Sequence, residues 1–78
     1  GRIFCFCFFE TVPEKAAISL TWYHRDRQVS RRRLQVEPPS WSGYSSMQLR
    51  ETDKGPWRVE ITGPDNRLIA VVRFSVTD

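Results

Sequence analysis

The only histidine of the chain, His24, is the side chain best suited to act as a general base or a metal ligand. It is followed by Arg25 and Asp26 in a short polar segment that predicts a hairpin turn. A serine–histidine–aspartate triad needs a nucleophile held beside the histidine, typically in a strained turn, and no serine has that context. The acidic residues are isolated and form no calcium-loop spacing. The pattern therefore predicts no enzyme activity and no catalytic residue.

Cys5 and Cys7 are the only cysteines. In an extended strand they point to one face with Cα atoms about 6.5–7 Å apart, at the upper limit for a disulfide. Two thiols and one histidine cannot complete a four-ligand zinc site. We expect both cysteines to be small buried apolar residues, and we expect no metal and no cofactor. Their redox state stays open.

A cluster of arginines is the most conspicuous charge feature of a chain whose formal net charge is +3. Its members crowd one predicted hairpin: Arg25, Arg27, Arg31, Arg32 and Arg33. They indicate either a patch for an anionic partner or charge that protects an edge strand from unwanted pairing, and the second interpretation is favoured. The charge excess falls short of a dense basic face, so nucleic acid is not the expected partner.

The pattern of β-strands is clearest in the last third of the chain. Residues 57–62 and 68–76 alternate apolar and polar side chains around a turn at Pro64, Asp65 and Asn66, which predicts a β-hairpin. Its inward side chains are expected to form one layer of the core: Trp57, Val59, Ile61, Ala70, Val72 and Phe74.

A second hairpin is predicted over residues 16–37. Ile18, Leu20 and Trp22 point inward, as does Val29 at the start of the next strand. The parity changes before Leu34, which predicts a bulge between Ser30 and Arg33. A further strand is expected over residues 40–49. Tyr23 and Tyr44 fall on outward parities and form a candidate platform for stacking sugars or bases, although aromatic residues on strands more often reflect packing and β-propensity.

The first strand, residues 2–9, is apolar on both parities. Phe4, Phe6 and Phe8 alternate with residues that point to the other face, so a loop, a partner or further chain should cover the second side. Six short strands with turns between them predict an all-β fold, a small antiparallel immunoglobulin-like sandwich. No apolar run approaches the roughly 20 residues of a spanning helix. Residues 1–78 form one domain, which we expect to be a C-terminal fragment of a longer membrane-anchored or exported protein.

The order of several short motifs resembles a bacterial family known as the domain of unknown function number twenty-nine fourteen. The resemblance covers nearly the whole chain. The matching positions are Gly1 to Phe6, Trp22 with Tyr23, Trp41 with Ser45 and Ser46, Gly55 with Trp57, Val59 and Ile61, and Phe74 with Val76. Two positions depart from the family pattern: Asp26-Arg27 stands where Asn-Gly or Asp-Gly is favoured, and Thr21 stands where histidine is frequent.

The resemblance implies an immunoglobulin-like fold, an extracytoplasmic location and one more strand before Gly1. It implies no established activity. We therefore expect a non-enzymatic protein-interaction module or an accessory subunit of a larger bacterial membrane assembly, with the membrane reached only through a segment outside this chain. The alternative is a carbohydrate- or envelope-polymer-binding module. The candidate partner-binding residues are Phe4, Phe6, Phe8, Arg25, Arg31, Arg33, Tyr23 and Tyr44.

Overall fold

Six antiparallel strands build the protein in a computed structural model that describes residues 1–77. In chain order they are β1 (Arg2–Phe9), β2 (Ala16–His24), β3 (Arg27–Val36), β4 (Trp41–Gln48), β5 (Gly55–Thr62) and β6 (Leu68–Val76). A single 3₁₀ turn, Glu51–Asp53, precedes β5, and residues 1–77 contain no α-helix.

The strands form two sheets that pack as a small sandwich. The larger sheet has the order β3-β2-β5-β6, and the smaller one contains only β1 and β4. The small sheet covers part of the large one, with β4 nearest β3. The predicted all-β sandwich of about six strands is confirmed.

The core lies between the two sheets and is built from the inward parity of each strand. The fully buried side chains are Trp22, Leu20 and Val59, which come from the two central strands of the large sheet. Ile18, Trp57 and Ile61 are buried beside them, as their parity predicted. Central strands bury the most because they have a neighbour on each side as well as a sheet above them.

The two sheets are joined by a buried hydrogen bond. The indole Nε1 of Trp22 in β2 donates to Ser45 Oγ in β4 over 3.0 Å. Ser45 is itself buried, at the centre of an otherwise apolar interface. A buried indole N–H needs a partner, so this contact fixes how the small sheet sits on the large one.

Replacing Ser45 with alanine is expected to lower the free energy of unfolding by about 1–3 kcal/mol, because the Trp22 N–H would stay buried without an acceptor. Urea unfolding followed by circular dichroism measures the change. Ser46→Ala is the matched control, since Ser46 accepts only from Arg2 in an exposed contact and should change stability by less than about 0.5 kcal/mol. Equal effects of the two variants would contradict this role of Ser45.

Two details of the β2–β3 hairpin differ from the sequence prediction, whereas its turn lies where the sequence predicted it. The bulge of β3 lies at Val29, because Trp22 pairs with Ser30 while Tyr23 pairs with Gln28. Val29 is therefore exposed and not inward. The turn between β2 and β3 is formed by Arg25 and Asp26, both with positive φ (53° and 66°), as a two-residue type I′ hairpin requires. Local alternation could not place the bulge or the exposed side chain of Val29, since a bulge shifts the parity by one.

The prediction that Ala70 and Val72 lie in the core is wrong. Val72 pairs with Val59 and Ala70 with Ile61, so both side chains share the inward face of the sheet. They are nevertheless exposed, Val72 by 46%. The reason is that β6 is an edge strand and the two-stranded sheet does not extend over it. Phe74, farther along β6, is half-buried and stacks on Trp57 at 6.1 Å between ring centroids.

Candidate functional site

An exposed cluster of aromatic rings covers the outer surface of the small sheet. We call it the aromatic face; it comprises Phe4, Phe6, Phe8 and Tyr44. Phe6 and Tyr44 are direct cross-strand partners, and their ring centroids lie 5.7 Å apart. Phe4 contacts both of these rings, at 6.0 and 5.8 Å. Phe6 is 75% exposed and Phe8 67%, so the second side of β1 has no cover within residues 1–77.

The backbone of β1 is unpaired along one edge. Leu49 N–H donates to Gly1 C=O over 2.7 Å, so the Gly1–Leu49 pair, which adjoins the first pair of the β1–β4 ladder (Arg2–Gln48), is a hydrogen-bonded one. In an antiparallel ladder the hydrogen-bonded residues alternate with residues whose N–H and C=O point away from the partner. The residues that point away include Phe4, Phe6 and Phe8. No strand of residues 1–77 pairs with that second edge.

An apolar hollow of about 310 Å³ lies beside this free edge. Its floor is the part of the large sheet that the small sheet leaves uncovered, and one wall is β1. The lining residues are Ile3, Phe4, Cys5, Phe6, Trp22, Val59, Val72 and Phe74. The exposure of Val72 and the free edge of β1 are therefore two sides of one opening between the sheets.

The two tyrosines do not form one platform. Tyr44 belongs to the aromatic face, whereas Tyr23 lies on the outer surface of the large sheet, because its neighbour Trp22 points inward. The Tyr23 ring is covered by the guanidinium of Arg58, whose Cζ lies 4.0 Å from the ring centroid. Arg58 in turn pairs with Glu60 over 3.0 Å and with Asp26. Those two carboxylates, Glu60 first, raise the pKa of Arg58.

The candidate arginines separate into two places. Arg25 lies in the β2–β3 turn and donates to the backbone carbonyl of Lys54 over 3.1 Å. Arg31 and Arg33 lie on the outer surface of the large sheet, opposite Thr21 and Ser19. None of the three belongs to the aromatic face.

His24 contacts a backbone carbonyl and an aromatic ring. Its Nε2 is 2.8 Å from the carbonyl oxygen of Lys54, and its ring stacks on Trp57 at 4.6 Å. Within residues 1–77 no group of three or more His, Cys, Asp and Glu side chains is placed to hold a metal ion. The same residues contain no helix long and apolar enough to cross a membrane.

Both cysteines are free thiols on the inner surface of β1. Burial raises the pKa of Cys7 to about 11, and the neighbouring Cys5 thiol adds to this effect. Burial also raises the pKa of Cys5. A thiol with a raised pKa is a weak nucleophile at neutral pH because little thiolate is present.

The cysteine pKa values predict a loss of stability in alkali. An unfolded thiol ionises near pH 9.0, so between pH 9 and about 11 the unfolded chain releases protons that the folded chain still holds. Stability should be intact below pH 9 and fall through that window. Urea midpoints at pH 7.5, 9 and 10.5 measure the decline. The double variant Cys5→Ala, Cys7→Ala should decline less steeply, and a parallel decline would contradict the assignment.

The sequence singled out Phe4, Phe6, Phe8 and Tyr44, and the structure brings these four together. The sequence pattern did not identify Val72 and Phe74 as part of a surface site, because their inward parity predicts that they lie in the core. The available signal was the two-sided apolarity of β1, which predicted a missing cover without showing where it would lie.

Comparison with known proteins gives one result. The sequence profile of a family described as "Protein of unknown function (DUF2914)" matches residues 15–76, which span β2 to β6. Searches of curated proteins and of solved structures find no match. The matched segment contains the large sheet, β4 and the buried Trp22–Ser45 contact. This chain belongs to the DUF2914 family.

Proposed function

We propose that this protein is a non-enzymatic protein-interaction module that accepts an extended segment of a partner as a third strand of its small sheet. The observation that carries the proposal is the free edge of β1, which lies beside an unfilled apolar hollow. Unpaired edge groups are a template for strand addition, which supplies backbone hydrogen bonds and side-chain pockets together.

The geometry defines the chemistry of the partner segment. Side chains of an added strand alternate between two faces. One set would enter the hollow above Val72 and Phe74, and the other would extend the aromatic face beside Phe4 and Phe6. The hollow is apolar, so the residues that enter it are expected to be Val, Ile or Leu at alternate positions. Burial of the exposed rings and of Val72 supplies the driving force, and the ladder supplies the register.

The experiment uses a synthetic eight-residue peptide of alternating valine and threonine. Amide hydrogen exchange is followed by NMR as the peptide is added. Exchange should slow at Phe4, Phe6 and Phe8, whose N–H groups face the free edge, and change little at Cys5 and Cys7, which already pair with β4. The same peptide N-methylated on the edge that faces β1 should have no effect. Unchanged exchange at the three phenylalanines would overturn the proposal.

Two variants of β6 locate the binding site. Val72→Lys places a charge in the hollow and should abolish the slowed exchange, whereas Ser75→Lys adds the same charge on the opposite face of β6 and should not.

A chain extended upstream of Gly1 tests whether the additional strand implied by the family resemblance uses this edge. Loss of peptide binding in that longer chain would assign the edge to the chain's own strand and overturn a partner segment.

A glycan-binding function is the second candidate, and it is favoured by one observation. Tyr44 is exposed on the aromatic face with Phe4 and Phe6 within about 6 Å, which is the arrangement of a stacking surface for a sugar ring. Tyr23 is not available in the same way, since Arg58 covers it. Tyr44→Ala should abolish retention on immobilised envelope glycans. Retention equal to that of the unmodified chain would remove this candidate.

The extracytoplasmic location and the role as accessory subunit of a bacterial membrane assembly stay predictions from the family resemblance. Fractionation of the full-length protein in its native cell tests both. Recovery in the membrane or periplasmic fraction is the expected result, and recovery in the cytoplasm would contradict it.

A further inference from the structure

Hydrogen-bond donors converge on the side of the sandwich opposite the aromatic face. Arg31 and Arg33 project from the outer surface of β3, two residues and about 6.5–7 Å apart along the strand. Arg33 is the direct cross-strand partner of Ser19, and Arg31 Nη2 donates to Ser19 Oγ over 3.4 Å. Ser19 is buried, at 7% exposure. Because its oxygen accepts from Arg31, its hydroxyl hydrogen can be donated to a ligand.

These side chains border a hollow of about 210 Å³. Its lining residues are Ala17, Ser19, Arg31, Arg33, Gly63, Pro64 and Asn66. Strands β2 and β3 form two walls of the hollow, and the β5–β6 turn forms the third. In this turn Asn66 has φ 65°, and its N–H donates to Gly63 C=O over 3.0 Å. The side-chain amide of Asn66 is thus presented by a hydrogen-bonded turn. Donors from β2, β3 and this turn meet in one place.

The positive charge of the hollow is not neutralised within residues 1–77. Arg31 and Arg33 form no ion pair there. Asp65, in the same turn, pairs with Arg67 over 3.1 Å, and Glu60 on the outer face pairs with Arg58 over 3.0 Å. The two nearby carboxylates are therefore engaged by other arginines. Two adjacent guanidinium groups without a counter-charge attract an anion.

We infer that this hollow binds a phosphate group, either free or as a monoester. Two guanidinium groups match a charge near −2, and donors from three directions need an anion with three or more free oxygens, which a planar carboxylate lacks. The volume is below the roughly 300–1,000 Å³ of pockets for drug-sized ligands, so the recognised part is a small group. The inference is independent of the strand-addition site, which lies on the other sheet.

The test is an NMR titration of the folded chain with inorganic phosphate, O-phosphoserine and acetate at constant ionic strength. Saturable shifts are expected at Ser19, at the Arg31 and Arg33 Nε–H groups and at the Asn66 side-chain amide. Acetate should shift them at least tenfold more weakly at equal concentration. Saturable binding of phosphate and of O-phosphoserine supports a phosphate site. Tighter binding of O-phosphoserine identifies the natural ligand as a phosphate monoester.

Matched variants separate a site from general charge attraction. Arg33→Gln should weaken phosphate binding at least tenfold. Arg27→Gln removes the same charge from the same strand outside the hollow and should leave binding within about twofold. Three results would overturn the proposed phosphate site: unsaturable shifts spread over all arginines, binding of acetate as tight as that of phosphate, or equal effects of the two variants. Folding of each variant is verified by the dispersion of the Trp22 indole resonance, which reports the core.

Discussion

Replacing Trp22 with alanine is expected to lower the free energy of unfolding by about 3–5 kcal/mol. Trp22 is the largest fully buried side chain of the protein, and its ring meets Phe74 edge to face at 6.4 Å. Its removal leaves a cavity at the centre of the sandwich and deletes the donor that joins the two sheets. Small domains have a total stability of roughly 5–15 kcal/mol, so the variant should be close to unfolding at room temperature.

Urea unfolding followed by circular dichroism measures this loss. Trp22→Phe is the first control, because it keeps most of the ring volume while leaving Ser45 without its donor, and it should retain a folded state. Trp41→Ala is the second, since Trp41 is half-buried against Phe9 and packs at the margin of the core. A loss at Trp41 equal to that at Trp22 would contradict the placement of the core centre.

The second large effect is expected at Trp57, where alanine should cost about 3–5 kcal/mol by a different route. Trp57 is buried between the His24 ring at 4.6 Å and the Phe74 ring at 6.1 Å. Its Nε1 donates to the Asp53 carbonyl over 2.7 Å, which ties β5 to the 3₁₀ turn that precedes it. The substitution removes three contacts that lie at one end of the large sheet.

A conservative variant separates ring packing from hydrogen bonding at this position. Trp57→Phe can keep the stacked arrangement but leaves the buried Asp53 carbonyl without its donor, so it should cost about 1–3 kcal/mol, less than the alanine variant. The NMR signals of residues 50–54 should broaden or shift in both variants. Unchanged signals there, with full loss of stability in the alanine variant, would show that the 3₁₀ turn does not depend on Trp57.

The strands and their inward faces could be predicted from local pattern. The period-two alternation in β2 and β5 placed Ile18, Leu20, Trp22, Trp57, Val59 and Ile61 in the core, and all six are buried. The alternation is reliable there because these strands are central, so each inward side chain is covered whatever the order of the outer strands. The β5–β6 hairpin could also be predicted from the sequence, since its turn residues determine the chain reversal locally.

The order of the strands in the two sheets could not be predicted from local alternation. The inward residues of β6 have the same alternation as those of β5, yet Ala70 and Val72 are exposed because β6 is an edge and the small sheet stops short of it. The coverage of Tyr23 by Arg58 depends equally on which strands are neighbours, since the two residues are 35 positions apart in sequence and meet through the β2–β5 pairing.

Alternation along the amino-acid sequence predicts the six strands, the burial of Trp22 and Trp57, and aromatic rings on a second face of β1. Pairing between distant strands brings this face and the uncovered part of β6 to one opening, and it brings Arg31, Arg33, Ser19 and Asn66 to another. The physical reason is that side-chain parity is a property of consecutive residues, whereas coverage depends on pairings between strands distant in sequence.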